Sequence, residues 1–362
     1  MKSEPAEGPF ILVADHIGPM HTVESIERTD VGPQVSYLFL ASGLAFHNRQ
    51  SRDLSSVFAD HAGNLNRLLA KVRARAVICS TSEEPRADCL EVRVMRAAIE
   101  ADLPVFLIED FPGNAVWSEA ASCRAVFVES LDSPSATRLK DSECRVLKLG
   151  NPRYDRLRHV DREAERVSVR RQFKIGTGDP VLLWAGQPRG RESLETFENV
   201  LKAALLFPKS PKILFRAHPR DKSFASGLYR DVLSAHTETV VDATAFGNPI
   251  GLCCAADVIV TQFSSMAVEG AHVGTVPVFV LLPGHGKPYM GELKGYDSPI
   301  WCRAGGAVQV NAQSELTNAL HSALFNLDAR RTILSKFADE FISEAAAPRI
   351  MREILRLLSD TK

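Results

Sequence analysis

The chain has 362 residues, too many for one compact core, so two domains of roughly 150 to 180 residues are expected. Hydrophobic residues make up 45% and charged residues 24%, which excludes a disordered chain, and a net charge of −1 excludes a global field for nucleic acid, so no nucleic-acid partner is expected. Cys79, Cys89, Cys123, Cys144, Cys253, Cys254 and Cys302 lack C-x-x-C spacing and sit mostly in apolar runs. They point to buried thiols of a cytoplasmic protein, not to disulfides or a metal centre. The polar start lacks the layout of a secretory signal, and no apolar run is long enough to span a bilayer.

In chain order, Phe10–Ala14, Val35–Leu40, Ala76–Cys79, Val105–Ile108, Ala125–Val128 and Val146–Leu149 read as strands, with helices over Leu54–Val72 and Cys89–Ala101. Residues 1–155 therefore form one doubly wound α/β domain. Arg156 to Lys174 holds seven Lys or Arg against three acidic residues, and 156–179 reads as an exposed basic linker helix, a candidate for peripheral membrane association.

The strand pattern then restarts at Val181–Trp184 and continues through Ile213–Phe215, Thr239–Val241, Val258–Thr261 and Val276–Leu281. Helices Leu194–Leu206, Phe224–Leu233, Ile250–Ala255 and Met266–Val273 alternate with these strands. Residues 180–345 make the second domain. Helices Leu316–Leu324 and Ala329–Leu358 close the chain, the latter interrupted at Pro348, and residues 346–362 are expected to pack back on the first domain. Two Rossmann-like domains facing each other across a cleft would place their strand ends at one site.

Several of those ends carry polar chemistry. Ser264 and Ser265 follow an apolar strand and open a helix whose free N–H groups suit a diphosphate, and Glu269 lies one turn further on, placed to accept from a sugar hydroxyl. His218, stiffened by Pro219, ends another strand between Arg216 and Arg220, where it could donate to a phosphate. In the first half, Glu109 and Asp110 end a strand as candidate bases, and Asp15, His16 and Gly18, with His21 nearby, end the first strand on the acceptor side. Each of these residues has a plainer role as a helix cap or turn former. No G-x-G-x-x-G, Walker loop, H-E-x-x-H or G-x-S-x-G is present, so no cofactor and no metal are expected.

Taken together, Gly150-Asn-Pro-Arg-Tyr-Asp155, Arg216-Ala-His218-Pro219, Gln262-Phe-Ser264-Ser265-Met-Ala-Val-Glu269 and Gly274-Thr-Val-Pro277 resemble the GT-B glycosyltransferases of bacterial surface-polymer synthesis. The nearest are CDP-glycerol glycerophosphotransferases and capsule polysialyltransferases. That resemblance implies a metal-independent transferase, with donor contacts from His218, Ser264 and Ser265 and a base at Glu109 or Asp110. Its partners would be a nucleotide-linked sugar or glycerol donor and a polysaccharide or lipid-linked acceptor. The layout is also similar to non-hydrolysing UDP-N-acetylglucosamine 2-epimerases, whose glutamate falls near Glu109. The stretch Gln187-Pro-Arg-Gly-Arg-Glu192 matches a run of that family only in part, and Gln-Phe-Ser-Ser stands in place of its Asp-Ser-Gly-Gly loop. A nucleotide-sugar binder without turnover is a third reading.

Overall fold

The computed structural model describes residues 8–30, 35–41, 64–82, 89–289, 291, 295–342 and 344–360. It divides the chain into two units, one of Met1–Arg156 with Glu344–Lys362 and one of Leu157–Ser343. The first unit is built on a parallel sheet of β1 (Phe10–Ala14), β2 (Tyr37–Ala41), β3 (Ala76–Ser80), β4 (Val105–Ile108), β5 (Ala125–Val128) and β6 (Arg145–Lys148), ordered β2-β1-β3-β4-β5-β6. The central strands are apolar on both faces because both are covered. Ile11, Val13, Val105 and Leu107 join a core with α2 (Leu65–Lys71) and α3 (Leu90–Glu100). Phe10, Leu12, Phe106 and Ile108, pointing the other way by strand alternation, pack with α1 (Ile17–Glu27) and the C-terminal helix at Ala346–Ser359.

Three features of this unit depart from the sequence reading. Ile17–Glu27 is a helix, so Gly18 lies in its first turn instead of in a loop. Of the helix expected over Leu54–Val72, residues 54–63 lie outside the described residues, and among 64–72 the helix runs over Leu65–Lys71 with Asn64 as its N-cap. The stretch Gly150–Asp155 proves to be a brace: Asp155 accepts from Ala346 N at 2.8 Å and Ala347 N at 2.7 Å, satisfying two orphan donors at the start of the C-terminal helix. Gly150 (φ +87°) passes so close that a Cβ there would lie 3.3 Å from the Ala346 Cβ. Asp155→Ala should lower stability by about 1–2 kcal/mol, and hydrogen exchange should rise first in residues 346–359. Uniform exchange loss across the chain would count against this capping role.

The second unit carries β7 (Val181–Ala185), β8 (Lys212–Arg216), β9 (Val240–Asp242), β10 (Val258–Thr261), β11 (Val276–Val280) and β12 (Val308–Val310), all parallel, in the order β12-β11-β10-β7-β8-β9. On one face Leu182, Trp184, Phe215, Val258 and Val260 pack with α6 (Arg191–Leu205) and α11 (Gln313–Phe325). Trp184, Phe197 and Phe215 pack in sequence there, the first pair tilted and the second edge-on, with ring centroids 5.6 and 4.8 Å apart. Ile259 points away from that core and lies against α10 (Ser265–His272), where a Cβ on Gly270 would come within 3.1 Å of it. The helix expected over Phe224–Leu233 is two short ones, α7 (Lys222–Ala225) and α8 (Arg230–Ala235), because Gly227 takes φ +87° between them.

The basic segment is a second correction. Its helix α5 (Arg162–Gln172) is not an exposed linker but packs against α9 (Pro249–Ala255) within this unit. Arg170 is 3% exposed. Arg166 and Arg170 donate to carbonyls at the C-terminal end of α9 and to the Asp257 carboxylate. Arg156, Arg158, Arg171 and Lys174 remain exposed. The chain ends in α12 (Leu327–Phe341) and α13 (Ala346–Ser359), the second of which is the capped helix of the first unit and carries Pro348 in its first turn. No helix among the described residues is long and apolar enough to cross a membrane.

Candidate functional site

Strand order locates the ligand crevice of each unit before any side chain is considered. In the second unit the order reverses at β7, whose neighbours are β10 and β8, so the crevice opens at the carboxyl ends of β7 and β10. The chain leaves β7 through Gly186 and Gln187, and Gly186 N donates to Arg216 O at 2.9 Å. A side chain at Gly186 would meet that carbonyl at 3.2 Å, which keeps the turn tight. From β10, Thr261 Oγ1 donates to Ala185 O at 2.6 Å and accepts from Gln187 Nε2 at 3.3 Å and Ser264 N at 3.2 Å. One buried hydroxyl thus locks both strand ends together.

Ser264 is the N-cap of α10 and accepts from Met266 N at 3.2 Å, while Ser265 begins the helix; both are half-buried. Ser264 N, Met266 N and Ala267 N are paired within this turn, and the positive end of the helix faces the crevice. Glu269, one turn in, is buried and not solvated. Behind the turn, Gln262 Nε2 donates to Glu192 Oε1 and Thr196 Oγ1, both at 3.1 Å, and Glu192 Oε1 also accepts from Gly286 N at 2.7 Å. These contacts, which the sequence reading did not single out although it quoted Gln262 and Glu192, pin the loop after β11 to the end of β10. Their only signal was a polar residue at the edge of an apolar run.

His218 follows β8, on the other side of β7. Its Nδ1 accepts from Arg220 N at 3.1 Å, so the neutral ring carries its proton on Nε2. Asp221 shapes this turn, accepting from Ser223 N at 2.9 Å and from the Tyr229 hydroxyl at 2.9 Å. Arg220 is exposed beside His218. Arg216 is placed differently from its expected part in donor binding: its Nη1 donates to the carbonyls of Ala243, Thr244 and Phe246 and so holds the turn after β9. Two strand spacings, about 10 Å, separate the β8 and β10 axes.

In the first unit the order reverses at β1, and the crevice lies at the ends of β1 and β3, with β4 beside β3. Glu109 and Asp110 leave β4 in succession and point to opposite faces. The Glu109 carboxylate turns inward, where Oε1 accepts from Gly113 N at 2.8 Å and from Ser133 Oγ at 3.0 Å, and Oε2 from Ser133 Oγ at 2.8 Å. Burial pushes its pKa up, against the lowering by Ser135, Ser133 and Gly113.

Asp110 faces the other way. Its Oδ1 accepts from Thr81 Oγ1 at 2.7 Å and Asn114 Nδ2 at 2.8 Å, and Asn151 Nδ2 donates to its carbonyl at 2.9 Å. A Cβ on Gly18 would lie 3.2 Å from both Asp110 Oδ2 and Arg153 Nη1, so the start of α1, Asp110 and Arg153 share one corner. Asp15 is buried, and His16 is half-buried ahead of α1 without capping it. Thr81, Asn114, Asn151 and Arg153 are the residues that the sequence reading left out of this corner.

The family model for CDP-glycerol:poly(glycerophosphate) glycerophosphotransferases matches residues 136–355, more than half of the chain. No curated protein matches it in sequence. Among solved structures, MnaA of S. aureus with UDP is similar at 12% identity and a TM-score of 0.68, with 97% of each chain covered. The UDP-GlcNAc 2-epimerase of Methanocaldococcus jannaschii, in complex with UDP-GlcNAc and UDP, is similar at 14% identity and a TM-score of 0.63, covering 96% of this chain and 99% of that one. The wall teichoic acid polymerase TagF is similar at 13% identity and a TM-score of 0.52, covering 99% and 90%. These likenesses show the α/β fold of GT-B type, with its two six-stranded parallel sheets.

Proposed function

Because this chain belongs to the CDP-glycerol:poly(glycerophosphate) glycerophosphotransferase family, we propose that it transfers a glycerophosphate or sugar unit from a nucleotide-activated donor to a hydroxyl of a surface-polymer acceptor. The observation that carries this reading is the capped start of α10 at the β7/β10 crossover, a ready site for phosphate, with His218 at the next strand end but one. A diphosphate, longer than a single anion, suits that spacing. Ser264, Ser265 and the positive end of α10 hold one phosphate, and His218 Nε2 and Arg220 meet the other. Glu269 stays as a candidate for a donor hydroxyl, and Arg216 supports the turn behind the site.

For a glycerophosphate donor, the acceptor oxygen attacks the outer phosphorus, the bond from that phosphorus to the nucleoside monophosphate oxygen breaks, and the hydroxyl proton passes to a carboxylate. We assign that base to Asp110 in the first unit, with Asp15, His16 and Gly18 shaping the acceptor corner. The positive end of α10 and basic side chains neutralise the leaving phosphate, so activity should survive chelators. The protein would act in the cytoplasm on a polysaccharide or lipid-linked acceptor.

The test is a panel of CMP-, CDP- and UDP-linked donors, assayed for acceptor-dependent nucleotide release and for sugar epimerisation. Epimer interconversion without acceptor would replace this reading with an epimerase, and binding without either reaction would leave a nucleotide-sugar binder. Losing a hydrogen bond to a charged phosphate costs about 1.5–3 kcal/mol, so His218→Ala should weaken donor binding roughly ten- to a hundredfold. Unfolding should not change, since His218 lies outside the buried core. Unaltered donor affinity and turnover in this variant would remove His218 from the site.

A further inference from the structure

Glu91 is fully buried in the first turn of α3, a place where the positive helix end would favour a carboxylate. Its surroundings do not. Oε1 accepts from Asp15 N at 2.8 Å, tying α3 to the end of β1. Oε2 is enclosed without a hydrogen-bond partner, and among the described residues the polar side chains facing the carboxyl are the Asp15 carboxylate, on the end of β1, and the Cys89 thiol, at the N-cap position of α3. Cys79 lies nearby on β3, its Sγ 4.0 Å from the Glu91 carbonyl. Among the described residues no Lys or Arg pairs with Glu91. A carboxylate held only by backbone N–H groups, beside another acid and, among the described residues, facing no cation, is a poor tenant of a closed site, whereas a neutral carboxyl can stay.

We propose that Glu91 is a positioning residue: in its neutral form it clamps the turn from β1 into α1, and on ionisation it releases that turn. What the turn controls is the corner described above. Asp15 leads through His16 to Gly18, which lies against Asp110 and Arg153. This consequence rests on the reading of Asp110 as the acceptor-side base, whereas the clamp itself does not.

Burial, with Asp15 adding to it, pushes the Glu91 carboxyl up to about 7 despite the lowering by backbone N–H groups. Burial likewise pushes Cys89 up to about 12 and Cys79 well above the usual thiol range, so both stay neutral. A raised acid pKa in the closed state means that the clamp is fully held below the solvated carboxyl's range and is lost as pH rises through 7.

Hydrogen exchange of the full-length protein, corrected for intrinsic rates, tests the clamp without any turnover. Protection of residues 15–20 should fall roughly tenfold or more between pH 6 and pH 8. Glu91→Gln, a neutral isostere that keeps the acceptor for Asp15 N–H, should hold protection constant across that range. Glu91→Ala should lose it at every pH, while protection of β4 and β5 changes little. Overturning results would be the same pH course in wild type and Glu91→Gln, or full protection in Glu91→Ala. In the transferase assay, KM for the acceptor should rise over the same pH range in wild type and stay flat in Glu91→Gln. If exchange follows this pattern while KM does not, the clamp stands and the acceptor role of its corner fails.

Discussion

Asp110→Asn should lower turnover by about 10²- to 10⁴-fold, the usual worth of a general base, with donor affinity nearly unchanged. Glu109→Gln should leave turnover close to wild type. The two carboxylates are neighbours in sequence, yet Glu109 is spent inside the turn, on Gly113 N and Ser133, whereas Asp110 shares a corner with Gly18 and Arg153. Asparagine keeps the shape of Asp110 and the hydrogen bonds from Thr81 and Asn114 to its carbonyl oxygen, so a folding defect is not the expected cause of its loss. Glutamine at 109 removes a buried charge and keeps an acceptor for Gly113, so the fold should tolerate it or gain from it. Steady-state kinetics at saturating donor, with thermal unfolding of both variants, decides the matter. A collapse of turnover in Glu109→Gln with an active Asp110→Asn would return the base to Glu109.

The pair also shows what a sequence can and cannot deliver. Strands β1, β4, β5 and β10 were legible to the residue because a parallel strand buried on both faces is a short apolar run with polar ends. The same polar ends named Glu109, Asp110, His218, Ser264 and Ser265. Alternation along β4 says that Glu109 and Asp110 diverge, but not which face holds Ser133 and which Gly18; that depends on contacts 24 and 92 positions away in the chain. Helix α1 went unread because Gly18 and Pro19 in its first turn look like a loop, although proline fits a helix start. Strand β12, three residues long, offers too little pattern to register.

The arginines of α5 were misread for a related reason: charge in a sequence reads as solvent exposure until a partner is known. That partner is Asp257, and its loss should be the largest stability effect in the second unit. Its Oδ1 meets Arg166 at 2.9 Å and Arg330 at 3.4 Å, and its Oδ2 meets Arg170 at 3.2 Å and accepts from Val181 N at 2.8 Å. Asp257→Ala leaves three guanidiniums facing one another and should cost about 3–5 kcal/mol, read as a lower denaturant midpoint at pH 7. Burial pushes the Asp257 carboxyl up, but Arg166, the Val181 N–H and Arg170 outweigh it and hold the carboxyl below its usual range. A depressed pKa in the folded state gives stability that is present above the unfolded value of about 3.9 and is lost as pH falls through the folded one. The wild type should therefore lose stability between pH 5 and pH 2 more steeply than Asp257→Asn, which has no carboxylate to protonate. Asp257 and Val181 stand at the amino ends of β10 and β7, whereas the proposed donor site is at their carboxyl ends. Activity per folded molecule should consequently be unchanged in Asp257→Asn, and a loss of turnover without a loss of stability would show that the two ends of the sheet are not independent.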